Sequence, residues 1–142
     1  MKKFLSNYWK SIIVVICILY LSFTSPSTFD GIPTFENEDK LVHLLMYGGL
    51  TGMLIFDFRQ SVKKIKEHIS SFILSCIVFP ILLGGLIEIL QPRYFAPRTG
   101  SWGDFAFNTI GVFIGLGFMW FFKDFINSDF MKKFMKDLFS KH

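Results

Sequence analysis

Apolar residues fill four stretches of the 142-residue chain, at about residues 9–24, 41–56, 69–90 and 104–122, and polar residues crowd the joints between them. Each stretch is close to the roughly 17–25 residues that cross a bilayer as a helix. The pattern therefore predicts an all-α, integral membrane four-helix bundle. Pro80 lies inside the third stretch and should disturb that helix, because proline lacks a backbone donor and crowds the preceding turn. Residues 25–40 and 91–103 read as loops from their Pro, Gly, Ser and Asn content. Residues 57–68 read as a basic connector. After the fourth span, Phe125/Ile126, Phe130/Met131, Phe134/Met135 and Leu138/Phe139 recur among lysines and aspartates. Residues 123–142 are thus expected to form an amphipathic helix lying in the inner membrane interface against anionic lipid. Docking of a partner protein is the rival use for that stripe.

Composition agrees with this picture. Half the residues are apolar and nineteen are Phe, which leaves too little polar surface for a soluble domain of this length. The expected organisation is one transmembrane domain over residues 1–122 and a tail over 123–142. The first helix has the layout of a signal peptide, with a basic start and small residues near Ser25. Pro26 and the lack of an Ala-x-Ala-like site favour a retained span. Cys17 and Cys76 both sit in apolar runs with no metal-ligand spacing, so simple packing is the expectation for each.

The net charge of +4 matters less than its placement. Basic residues gather at Lys2, Lys3 and Lys10, at Arg59, Lys63, Lys64 and Lys66, and along the tail. They form no continuous face for nucleic acid. The excess of Lys and Arg on alternate joints predicts a multi-pass protein with both termini in the cytoplasm. Residues 25–40, with Asp30, Glu36, Glu38 and Asp39, and the 91–103 loop then face outward. Arg93 and Arg98 are mild exceptions, and an arginine on the disfavoured side is easier to understand if it has a task there.

That topology gathers polar residues from distant parts of the sequence into one layer. Lys40, His43 and Tyr47 share a stripe at the outer start of the second helix. Glu88 and Gln91 end the third helix, with Gly84 one turn before Glu88. Asp104 and Asn108 open the fourth helix and continue into Gly111 and Gly115. The glycines, including the Gly48-x-x-x-Gly52 pair, mark faces where helices approach closely, so the polar residues aligned with them point into the bundle. Ionisable groups in such a place are costly, and they indicate a site or a satisfied network.

The chemistry on offer is two cations (Lys40, Arg98), two carboxylates (Glu88, Asp104), an imidazole (His43) and neutral hydrogen-bonding groups (Tyr47, Gln91, Asn108). Lys40 and Arg98 suit an anionic group such as phosphate or carboxylate. His43, Glu88 and Asp104 are the candidate catalytic residues, and Lys40, Tyr47, Gln91, Arg98 and Asn108 the candidate ligand-binding residues. A metal on His43, Glu88 and Asp104 is chemically feasible, but Lys40 and Arg98 would compete for the carboxylates. The sequence reading therefore assigns no metal and no cofactor. Ser101 and Thr99 lie nearby without a nucleophile-elbow pattern.

Asp39-Lys40-x-x-His43-x-x-x-Tyr47, Gly85-x-x-Glu88-x-x-Gln91, and Arg98-x-Gly100 leading to Asp104-x-x-x-Asn108-x-x-Gly111 together resemble the VanZ-like family of small bacterial membrane proteins. The resemblance covers residues 39–115, with order and spacing intact. Many family members have an acidic residue where this chain has Ser101. The resemblance implies a bacterial inner-membrane protein connected with the cell envelope and with susceptibility to glycopeptides of the teicoplanin type. It supplies no reaction, and whether the chain is an enzyme stays open. The leading expectation is a protein that binds or processes an anionic lipid or lipid-linked precursor at the outer leaflet. A non-enzymatic scaffold, whose polar cluster is a structural ion-pair network, is the alternative. Membrane lipid is the expected partner, with self-association left open and nucleic acid excluded.

Overall fold

The computed structural model describes residues 2–24, 38–62, 64–95 and 99–122. It contains helices α1 (Lys2–Phe23), α2 (Glu38–Ser61), α3 (Ile65–Tyr94) and α4 (Trp102–Phe121). All four are long and apolar enough to cross a membrane, and among the described residues the protein is all-α with four membrane spans. The expected amphipathic helix of residues 123–142 lies outside the described residues, as does Arg98.

The helices overrun the apolar stretches that predict them. Charged residues such as Glu38, Asp39, Asp57 and Arg59 continue α2 at both ends. α3 runs on past Leu90 through Pro92 to Tyr94, where composition predicts a loop, and Phe95 N–H still bonds to the Gln91 carbonyl at 3.0 Å. The reason is backbone accounting. At membrane depth each N–H and C=O needs an internal partner, so a helix does not end where its side chains turn polar. With 24 residues, α2 extends about 36 Å at 1.5 Å per residue, slightly beyond a hydrocarbon core of about 30 Å.

Pro80 disturbs α3 in a specific way. A π-helical turn spans Leu74–Val78, and the N–H of Phe79 bonds back five residues to the Leu74 carbonyl. The wider turn lies immediately before the proline and absorbs its missing donor and its bulk.

Polarity is distributed as lipid requires. Leu45, Leu82, Ile89, Phe113 and Trp120 lie exposed on the outside, while Thr51, Asp57 and Asn108 are wholly enclosed. The tightest seam joins α2 to α4. A Cβ on Gly111 would strike the Leu44 carbonyl, and one on Gly115 would stand 2.5 Å from the Gly48 carbonyl oxygen. Only glycine lets the two backbones meet like this. Gly52, expected to join Gly48 in the contact, is farther off, with Met119 Cγ 3.9 Å from its Cβ position.

Helix α1 shows most of its surface to the outside, and polar groups fix it at both ends. At one end Gln91 Nε2 donates to the Ser22 carbonyl at 2.9 Å, and Phe23 stacks on Phe95 with ring centroids 4.1 Å apart. At the other end Asp57 accepts hydrogen bonds from Ser11 Oγ at 2.8 Å, Ser11 N–H at 3.1 Å and Lys10 Nζ at 3.3 Å. Lys10 Nζ also stands over two rings, 5.2 Å from the centroid of Trp9 and 5.4 Å from that of Phe56. The carboxylate of Asp57 is 0 % exposed, so it does not open a connector as the sequence reading expects. It is a buried anchor for α1. Leu50, Leu54, Asp57 and Phe58 continue one buried stripe at three- and four-residue spacing, and that spacing carries the signal for it.

Candidate functional site

The site lies where α2 begins, α3 ends and α4 begins. Its scaffold is the glycine seam, because Asn108 is one turn before Gly111 on the same face of α4. That seam brings Asn108, 0 % exposed, up to His43 on α2. Gly84 on α3 makes the remaining room. A Cβ there would sit 3.1 Å from Asn108 Nδ2 and 3.2 Å from Tyr47 Cε1, so three helices share the space of one missing side chain.

A chain of hydrogen bonds results. Asn108 Nδ2 donates to Glu88 Oε1 at 3.4 Å, and Asn108 Oδ1 pairs with His43 Nδ1 at 2.9 Å. An ionised carboxylate can only accept, so the Asn108 nitrogen faces Glu88 and its oxygen faces His43. His43 Nδ1 must then carry the hydrogen and donate it, leaving the other ring nitrogen with its lone pair in the neutral form. Glu88 Oε1 also lies 3.8 Å from His43 Nδ1.

The second oxygen of Glu88 is held by the start of α4. Ser101 N–H donates to Glu88 Oε2 at 3.0 Å. Gly100 permits this contact, since a Cβ there would collide with the Glu88 carbonyl. Ser101 is also the N-cap of α4, and its Oγ accepts from Gly103 N–H at 3.1 Å and Asp104 N–H at 3.4 Å. Glu88 therefore lies against a helix N-terminus, whose unpaired N–H groups and dipole favour an anion. Sequence alone weighs Ser101 only as a nucleophile and finds no pattern for one. The Ser101-x-x-Asp104 spacing is the capping-box signature that could have found its role.

In a capping box the acid three residues along takes the N-cap N–H. Here Glu88 of the neighbouring helix takes it instead, and Asp104 Oδ1 is left buried without a hydrogen-bond partner. Tyr47 is 1 % exposed, and its hydroxyl likewise has none. Ser22, where α1 receives Gln91, and Thr51 and Arg59 on α2 also contain buried unpartnered atoms. Beside Glu88, a recess of about 360 Å³ is lined by Gly85, Glu88, Ile89, Ser101, Trp102 and Phe105. A larger groove of about 480 Å³ follows the α2–α4 seam past Leu44, Gly48, Gly52 and Phe118. It lacks titratable groups and follows the lipid-facing surface.

Of the residues anticipated from sequence, His43, Glu88, Asp104 and Asn108 converge, and Tyr47 packs beside Asn108. Lys40 reaches the same layer: its Cε is 3.8 Å from the Cβ position of Gly103, and its charge acts on Asp104. The amide nitrogen of Gln91 is turned to α1, as described above. No protein-family model, curated protein or solved structure matches this chain.

Proposed function

We propose that this chain is a VanZ-like protein of the bacterial cytoplasmic membrane that binds an anionic lipid, or a lipid-linked envelope precursor, at its extracytoplasmic face. The observation that supports this most strongly is the buried, unpartnered hydroxyl of Tyr47, a hydrogen-bond donor in the layer that also holds Lys40. A network serving the fold alone gains by satisfying every member, since each buried polar group left unpaired costs about 1–3 kcal/mol. A buried donor left unused is better explained by a ligand. Lys40 and Arg98 supply positive charge for its head group, His43 with Glu88 or Asp104 orients it or moves a proton, and Asn108 fixes the imidazole. The apolar groove along α2 and α4 suits an acyl chain. Such binding near envelope precursors is a route to altered glycopeptide susceptibility.

Native mass spectrometry of the chain extracted from its own membrane tests the head-group role. The wild type should retain anionic lipid through gentle detergent exchange, and Arg98→Ala and Lys40→Ala should retain about tenfold less, the equivalent of 1.4 kcal/mol of binding. Identical lipid profiles for wild type and both variants would remove the reading.

A second reading has its own support. The continuous chain His43–Asn108–Glu88–Ser101 ties three helices together, and Lys10–Asp57 does comparable work at the far end. On that reading the polar layer is a register device and the protein a non-enzymatic scaffold. It predicts that His43→Ala and Glu88→Gln lower stability while leaving lipid retention unchanged.

A further inference from the structure

The three titratable groups of the site have an arrangement that an anionic ligand does not explain. One ring nitrogen of His43 and one carboxylate oxygen each of Glu88 and Asp104 all lie within 4.8 Å of one another. They come from three different helices, so the arrangement is made by the tertiary fold and not by local spacing. We propose that His43, Glu88 and Asp104 form a binding site for a divalent transition-metal ion of the zinc type.

The donor set is appropriate. One imidazole and two carboxylates supply the nitrogen and oxygen donors that Zn²⁺ accepts, whereas Ca²⁺ and Mg²⁺ prefer oxygen alone. Three protein ligands would also leave one position for water or a ligand group, as open zinc sites do. Two unpartnered groups, one in the cluster and one beyond it, point the same way. Asp104 Oδ1 is buried without a hydrogen-bond partner, because Glu88 has taken the N-cap contact that an acid at this position ordinarily makes. Tyr47, 1 % exposed, has an unpartnered hydroxyl one helical turn from His43. Long side chains on a helix lean toward its N-terminus, which on α2 is the His43 end, and Tyr47 lies within electrostatic reach of Glu88. That buried hydroxyl has capacity to bond water carried by an ion at the site. The Asn108 contact to His43 Nδ1 is the kind of outer hydrogen bond that orients metal-binding imidazoles.

Charge balance favours a cation as well. Two carboxylates held close together in a membrane interior repel, and a divalent ion offsets both at once. Lys40 beside Asp104 is the competing cation within the described residues. The proposal does not depend on the lipid reading, although a metal would let an acidic site hold an anionic head group.

The test uses the full chain, purified without a polyhistidine tag, stripped with EDTA, and reloaded with ZnCl₂ or CoCl₂ in detergent. Elemental analysis after desalting should find one zinc per chain, and cobalt should give the visible d–d absorption of a protein-bound ion. His43→Ala, Glu88→Gln and Asp104→Asn should each reduce retained zinc by at least about tenfold, since loss even of an outer-shell contact costs that much. His68→Ala, which removes an exposed imidazole far along α3, should retain it fully. Less than a tenth of an equivalent on the wild type, or equal retention by wild type and all three variants, overturns the site. Where a variant fails to fold, the cobalt spectrum of the wild type decides: no d–d band refutes the proposal. Lipid retention is a separate readout, so either proposal can fail without the other.

Discussion

Gly111→Leu should cost the protein about 3 kcal/mol and separate α4 from α2. Even a methyl group at this position meets the Leu44 carbonyl, and the opposing atoms are backbone, which has no rotamer to yield. Overpacking a formed interface typically costs about 1–3 kcal/mol, and this is a helix seam with no slack. The effect should extend to the site, because Asn108 stands one turn from Gly111 and reaches His43 only through that seam. Gly117→Leu provides the control, since nothing lies within 4 Å of a Cβ there. Thermal unfolding in detergent should place Gly117→Leu with the wild type and Gly111→Leu well below it. Equal stabilities would mean that the seam does not organise the bundle.

The second large effect concerns the opposite end. Lys10→Met should destabilise by about 3–5 kcal/mol, the usual result of removing one partner from a buried ion pair. Asp57 would remain fully enclosed, still bonded to Ser11 but with its lysine gone. The double variant Lys10→Met/Asp57→Leu removes both charges and should recover most of the loss, since replacing a buried pair by apolar groups is often close to neutral. Unfolding of the single and double variants measures the coupling directly. A double variant as unstable as Lys10→Met alone would show that Asp57 contributes through Ser11 and not through charge.

These two variants also mark what the sequence could and could not reveal. Four spans are legible because an apolar run of bilayer length seldom forms anything but a membrane helix. The convergence of His43, Glu88, Asp104 and Asn108 is legible because glycines and polar residues share helical stripes. Asp57 misleads because a carboxylate after an apolar run resembles a boundary. Only its place on the buried stripe of α2 distinguishes it, and only the fold supplies Lys10 from 47 residues away. The end of α3 is hidden for a related reason: Gln91 and Pro92 look like loop residues, but backbone hydrogen bonding continues through them to Phe95. Gln91 shares a face with Glu88, yet its amide nitrogen serves α1. Helical spacing fixes a face and leaves open which neighbour occupies it. The unpartnered oxygen of Asp104 could not be anticipated at all, because it arises from Glu88 on another helix displacing a local capping contact.

Which side of the membrane the polar layer faces decides the proposed function, and cysteine labelling measures that directly. In a background carrying Cys17→Ser and Cys76→Ala, Thr99→Cys places a thiol at an exposed position before α4, and Gln60→Cys places one at the opposite end of α2. A membrane-impermeant maleimide applied to intact spheroplasts should modify Thr99→Cys at once and Gln60→Cys only after the membrane is permeabilised. Immediate labelling of Gln60→Cys, with Thr99→Cys protected until permeabilisation, would contradict an extracytoplasmic site by placing His43, Glu88 and Asp104 on the cytoplasmic side.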